Sequence, residues 1–276
     1  MDEQAIGIFC ICDEVIKCFG ILDDPQCKMS TAEVATFALI SATQHQGNYR
    51  TTRLVSAYHR YFSKILSHSR LVRRIHAISE AIWHMILKAL QMYLRKPDSR
   101  YFIVDSFPVK AYGNHKSFRA RIFREKKYHG YTASKKEYFF GIKVHMIIDQ
   151  EGIPIEFCFT PGSTSDIEGL KELPCELPQG AVLFGDKAYT DYSLEDDLLE
   201  MAGISLIPKR KHNLKRQHPG PLEYILCQTR NYIETVFSSI VNKMPRYIKA
   251  RTERGFYLKI FLFIMGYLFC MCLPIR

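Results

Sequence analysis

The sequence predicts an α/β protein: a mixed five-stranded sheet flanked by helices, preceded by a small all-α N-terminal domain. Three observations predict it. Apolar residues recur at helical steps through residues 1–96. From Tyr101 the pattern changes to short apolar, β-branched runs typical of buried strands. Helical segments then alternate with such runs toward the C-terminus, the order of a helix-flanked sheet. Lys96-Pro97-Asp98 marks the expected boundary, giving domains 1–96 and 97–276.

In the helical part, a first helix is expected to end near Gly20. Ser30-Thr31-Ala32-Glu33 is a capping box, in which Ser30 accepts from the Glu33 amide and Glu33 reaches back. The helix it opens runs to about Gln44 and stops at Gly47-Asn48. A further helix from about Arg50 carries Leu54, Tyr58, Tyr61, Phe62 and Ile65. After Ser67-His68-Ser69, one long helix is expected from Arg70 to about Arg95, with Leu71, Ile75, Ile78, Ile82, Met85 and Ala89 as its apolar stripe. Arg50, Arg53, Arg70, Arg73 and Arg74 suit the phosphates of a DNA duplex beneath a helix–turn–helix. An ordinary bundle with a solvated basic face fits the same residues.

The first strand is Tyr101 to Val109, with Asp105 set into it; Pro108 should limit its extension, because proline cannot donate to a ladder. Residues 110–136 hold nine Lys or Arg, among them Lys116, Arg119, Arg121, Arg124, Lys126 and Lys127, against Glu125 alone. Tyr112, Phe118, Phe123, Tyr128 and Tyr131 are interleaved. Basic groups suit phosphates and aromatic faces suit unstacked bases. Strands Tyr138–Ile148 and Ile153–Phe159 flank a turn at Asp149–Gly152. Residues 161–166 cap a short helix. A fourth strand ends at Asp186, a helix runs from Tyr192 to Met201 before Gly203, and Ile204–Ile207 is the fifth strand. Lys209, Arg210 and Lys211 lie in a second basic loop. A long helical region from about Leu222 contains Arg230 and Glu234.

The formal net charge is +10, which favours a polyanionic partner, nucleic acid or an anionic membrane surface. The nine cysteines are scattered and none has zinc-knuckle spacing, so they read as reduced thiols of a reducing compartment. Asp2 and Glu3 open the chain without a signal-peptide pattern, and the expected location is cytoplasmic.

Two apolar strands, each bearing an acid, point to a shared metal site at Asp105 and Asp186. Local roles compete: an Asx turn at Asp105, a turn at Asp186 or its replacement by Asp191, and Glu223 or the acids of 195–200 as rivals of Glu234. Asp149 and Asp166 read as turn and cap residues. Phosphodiester cleavage needs an activated nucleophile and charge stabilisation on both the attacking and leaving oxygens. Two Mg²⁺ about 3.5–4 Å apart supply both. Mg²⁺ favours a few carboxylates plus water and phosphate oxygens. Three acids on three separate elements beside basic loops would suit such ions.

The segments Ile103-Val104-Asp105-Ser106, Gly185-Asp186-Lys187-Ala188-Tyr189 and Arg230-x-x-x-Glu234 with Phe237 together resemble a DDE transposase of a bacterial insertion sequence. The resemblance covers about residues 100–245. It implies a ribonuclease-H-like catalytic domain that cleaves DNA and transfers strands, with Asp105, Asp186 and Glu234 as catalytic and metal-binding residues. It also implies two Mg²⁺, with Mn²⁺ as a substitute, and contacts from Lys187 and Arg230 to phosphate. The partners implied are the element's ends, held by residues 1–96, target DNA, and further copies of the chain on paired ends. Cys227 and Val241 stand where family members often carry Tyr and Lys.

Phe256–Ile275 is almost wholly apolar and long enough to span a bilayer. The favoured expectation is a core helix covering one face of the sheet, without a membrane. A basic membrane-tethered protein and a catalytically inactive DNA-binding remnant are the alternatives.

Overall fold

The computed structural model describes residues 3–112, 121–132, 136–211 and 213–273. They fall into two compact units: residues 1–94, 239–250 and 254–276, and residues 95–238 with 251–253.

The first unit is helical. Its elements are α1 (Glu3–Cys18), α2 (Thr31–Gln44), α3 (Tyr49–Tyr58), α4 (His68–Ala77) and α5 (Glu80–Leu94). Helix α2 is its centre, with every residue from Val34 to Ala42 buried. The expected capping box opens it, Ser30 Oγ accepting from the Glu33 amide at 3.1 Å and Glu33 Oε2 from the Ser30 amide at 2.7 Å. The third helix stops at Tyr58, earlier than its apolar pattern implied. Arg60 there takes a positive φ of 52°, which turns the chain out of the helix. The long helix expected over 70–95 is two, because Ile78 adopts extended backbone (φ −62°, ψ 128°) between α4 and α5.

The second unit holds a six-stranded mixed sheet. Its strands are β1 (Tyr101–Tyr112), β2 (His129–Thr132), β3 (Glu137–Asp149), β4 (Pro154–Pro161), β5 (Val182–Gly185) and β6 (Ser205–Pro208). The order is β2-β3-β1-β5-β6, with β4 also on β3. Strands β1, β2 and β4 are antiparallel to β3, and β1, β5 and β6 are parallel. The sixth strand is β2, which lies in the basic stretch read as loop.

Strand β1 continues through Pro108 to Tyr112, contrary to expectation. Its pairing with β5 ends at Val104, so from Asp105 onward one edge of β1 has no strand beside it. Pro108 faces Lys143 of β3 across the ladder. Its missing N–H can therefore point to the open edge.

Helix α6 (Asp166–Lys171) lies on one face of the sheet. There Gly169 meets the His145 ring so closely that a Cβ would overlap it. Helix α8 (Gly220–Asn242) lies on the other, with Phe237 and Phe107 rings 4.6 Å apart. Helix α7 (Tyr192–Ala202) precedes β6 and ends at Gly203 in the left-handed region, φ 64°.

Helix α9 (Glu253–Cys272) differs from the expected sheet cover. From Arg254 it belongs to the helical unit. It is long and apolar enough to cross a membrane, by length and composition. Phe256, Ile260 to Met265, Leu268 and Phe269 are buried. Phe263 sits over Gly47, where a Cβ would lie 2.9 Å from the ring, and Gly266 approaches Thr43 of α2. Arg254 pairs with Glu80 at 3.5 Å.

Candidate active site

The last β1–β5 pair is Val104 with Gly185. One step beyond, Asp105 and Asp186 occupy neighbouring positions on adjacent parallel strands. Apolar residues make both strands, and the strand ending at Gly185 frees Asp186 from the ladder. Asp186 then opens a 3₁₀ turn, Lys187–Tyr189, its Oδ1 accepting from the Lys187 amide at 2.7 Å. Tyr189 is fully buried and packs on Gly185, where a Cβ would lie 3.1 Å from its ring. Asp105 Oδ1 accepts from the Ser106 amide at 2.8 Å. Each acid thus uses one oxygen to fix its own backbone, as the local-turn readings expected. The second oxygen of each is not used in that bond.

Helix α8 supplies the third side. Leu226, Ile233, Val236 and Phe237 are buried and hold the helix to the sheet. Arg230 and Glu234 project beside the acids. Arg230 Nη1 lies 3.6 Å from Asp186 Oδ2, and its Nε donates to Glu234 Oε1 at 3.1 Å. One pocket is lined by Asp105, Asp186, Lys209, Thr229, Arg230 and Ile233. Lys209 Nζ lies 3.3 Å from Cys227 Sγ on the same helix.

Burial pushes the Asp105 carboxyl up to about 7, with the Ser106 amide opposing. The charges of Asp166 and Asp186 raise it further, and Arg230 lowers it. A half-buried carboxyl repelled by its neighbours is a hard oxygen donor that gains from a cation, so the Asp105–Asp186 pair fits a divalent metal ion. Glu234 is joined to Asp186 through Arg230. Its carboxylate is tied to Arg230, and among the described residues no group of three His, Cys, Asp or Glu is assembled for a metal. The constellation here is two acids with a guanidinium between Asp186 and Glu234, as expected when like charges converge.

Three rivals of these acids have other partners. Glu195 is buried against Arg210, Asp196 pairs with Arg216 at 2.8 Å, and Asp191 caps α7. Asp166 does more than begin a helix. Ser165 provides the cap, and Asp166 Oδ1 accepts from Ser106 Oγ at 2.6 Å and Lys143 Nζ at 3.2 Å. Sequence reasoning missed this network under the β1 site, because it read residues 161–166 as the cap of a short helix and Asp166 as a cap residue.

Among the basic residues expected on DNA, Lys187, Lys211, Arg121, Arg124, Lys126 and Lys127 are exposed. Lys127 pairs with Glu125 at 2.9 Å. Lys209 is half-buried in the pocket. Arg210 corrects the expectation: it is 6% exposed, donates from Nη1 to Glu195 at 2.7 Å and lies over the Tyr192 ring. Its guanidinium anchors the loop to α7. In the helical unit Arg73 is exposed, while Arg74 Nη2 is bound to Asp23 at 3.3 Å and Thr31 at 3.4 Å. Lys116 and Arg119 lie outside the described residues.

A family model described as "Transposase DDE domain" matches residues 96–251, more than half of the chain. No curated protein matches the chain. Among solved structures, the Mos1 mariner paired end complex with Mn is similar at 14% identity, covering 93% of this chain and 82% of that one, TM-score 0.26. The Mos1 strand transfer complex is similar at 15% identity, covering 90% and 78%, TM-score 0.24.

Proposed function

The chain belongs to the transposase DDE domain family, and from that premise we propose that it performs metal-dependent cleavage and strand transfer of an insertion sequence's DNA, with Asp105, Asp186 and Glu234 as the catalytic acids. The supporting observation is the register of β1 and β5, which makes Asp105 and Asp186 neighbours at the mouth of a pocket edged by cations. The ions are Mg²⁺, or Mn²⁺ in its place, held by Asp105 and Asp186 with Glu234 as the third ligand. When bound, they supply charge neutralisation at the phosphate and a water of lowered pKa.

The chain's own groups do the rest. Burial of Asp105 and its Ser106 amide fix one carboxylate before substrate arrives. Lys187, next to Asp186, and Lys209 offer ammonium groups to the scissile strand's phosphates. Arg230, which pairs with Glu234 beside Asp186, offers its guanidinium to a phosphate of the same strand. Exposed Arg121, Arg124, Lys126, Lys127 and Lys211 hold flanking DNA, and residues 1–96 bind the element's ends through Arg73. Copies of the chain assemble on paired ends in the bacterial cytoplasm.

The test uses DNA carrying the flanks of this protein's own gene, with and without Mg²⁺ or Mn²⁺. Nicking that requires the ion is expected, and Asp105→Asn, Asp186→Asn or Glu234→Gln should each lower its rate by roughly 10³-fold, several kcal/mol of lost charge stabilisation. Full activity of Glu234→Gln would remove Glu234 from the trio. Salt-sensitive binding with no cleavage under any metal would leave a DNA-binding remnant.

A further inference from the structure

Far along the sheet from Asp105, five rings form a continuous ladder across three strands. Tyr112 of β1 stacks on Phe140 of β3 (5.4 Å, 18°), and Phe140 on His129 of β2 (4.6 Å, 25°). His129 stacks on Tyr138 of β3 (5.2 Å, 22°), and Tyr138 meets Tyr131 of β2 (4.8 Å, 48°). The ladder is built by register. His129 pairs with Phe140 and Tyr131 with Tyr138. A bulge between Lys110 and Tyr112 brings Tyr112 opposite Phe140, where unbroken alternation would have placed Ala111. Gly141 lets the bulge close, since a Cβ there would overlap the Val109 carbonyl.

The ladder is not core. Tyr131 is 48% exposed and Tyr138 55%, whereas Phe139, on the opposite face, is 1% exposed. By alternation along β3, Tyr138, Phe140, Val144 and Met146 share a face, and Met146 pairs with Asp105. Six residues from Met146 to Phe140 span about 20 Å on that same face. Described cations near the ladder in sequence are Lys110, Arg121, Arg124, Lys126, Lys127 and Lys136, against Glu125 and Glu137.

We propose that this ladder is a stacking platform for unpaired bases of the DNA strand being processed, resting on the DNA-cleaving reading above. The exposed rings, Tyr131 and Tyr138, inclined at 48° to each other at the open end of the ladder, are the ones a base face can reach, and base faces are available only where a strand is unpaired. The surrounding excess of positive charge matches the phosphates between them. A duplex hides its base faces within its own stack, so the platform distinguishes opened DNA from closed DNA. Stacking is tolerant of sequence, so it holds a strand without reading it.

The experiment measures affinities of the full chain for a single-stranded oligothymidine and for a blunt duplex of equal length, at fixed salt. Tyr131→Ala/Tyr138→Ala should weaken single-strand binding about tenfold or more and leave duplex binding unchanged. Tyr131→Phe/Tyr138→Phe, which keeps the rings, should bind like the parent. Equal losses on both DNAs, no loss on either, or a Phe variant as weak as the Ala variant would each overturn the platform while leaving the DNA-cleaving reading intact. A shift in oligomeric state with unchanged DNA affinity would assign the ladder to a second copy instead. If the parent chain binds neither DNA, both the platform and the DNA-cleaving reading fall.

Discussion

If the acids take a divalent ion, as proposed above, Arg230 and that ion compete for the same carboxylate oxygens. The guanidinium reaches Asp186 and Glu234 from one side chain, and Asp105 carries a raised pKa beside them. Removing that positive charge should tighten Mn²⁺ binding to Arg230→Gln severalfold, measured by titration calorimetry without DNA; weaker binding would sink the competition. A second residue sets a pH dependence. His145 is fully buried on the α6 face, its Nε2 at 2.8 Å from Thr160 Oγ1, with Asp166 and Lys143 as its charged neighbours. Burial lowers its pKa from 6.5 to about 4. Between those values the unfolded chain binds a proton that the folded chain refuses. Stability present above pH 6.5 is therefore lost as pH falls toward 4, by about 3 kcal/mol in full. Urea unfolding at pH 7 and pH 4.5 should show a smaller acid loss for His145→Gln than for the parent. At this scale Asp105 and Asp186 were legible in the sequence, because a carboxylate in an apolar strand demands a partner. Arg210 was not, since it sits in a run that looks solvated and its partner Glu195 lies on another element.

Elements explain why the site has its shape. The short β5 ends one step before Asp186, while β1 runs on, so one acid leaves its strand and the other stays in the ladder. Helix α6 supports the opposite face of β1 through the contact between Asp166 and Ser106. Gly169 allows that docking, since a side chain there would overlap His145. Gly169→Ala should thus destabilise the fold by about 1–3 kcal/mol, the usual effect of overpacking, read as a lowered urea midpoint; an unchanged midpoint would show that α6 is loosely seated. The Ser30 capping box and the left-handed Gly203 made α2 and α7 readable from sequence. Strand β2 was hidden because His129-Gly130-Tyr131-Thr132 has a glycine and basic neighbours, and only its pairing with β3 makes it a strand. The split between α4 and α5 was hidden for the opposite reason: the apolar stripe continues through Ile78, while the backbone does not.

At the scale of the molecule, the chain leaves the helical unit after Leu94, builds the sheet unit, and returns. The return to the helical unit was not legible in the sequence. An all-round apolar helix such as α9 has no polar face to say which layer it joins. Deleting residues 254–276 should leave α2 without Gly266 against Thr43, and the turn at Gly47 without the cover of Phe263. The helical unit is then expected to lose cooperative unfolding and protease resistance, while Asp105 and Asp186 keep their β1–β5 register. Mass spectrometry of limited digests would check this, and a protected 1–94 fragment would contradict it. The shared core also has a meaning for biosynthesis. The first helices emerge from the ribosome long before their last partner, roughly 10–40 s at ordinary translation rates. A ribosome that halts early therefore releases a product whose opening helices lack the one that completes their core, and such a product is ready for degradation rather than for work on the genome.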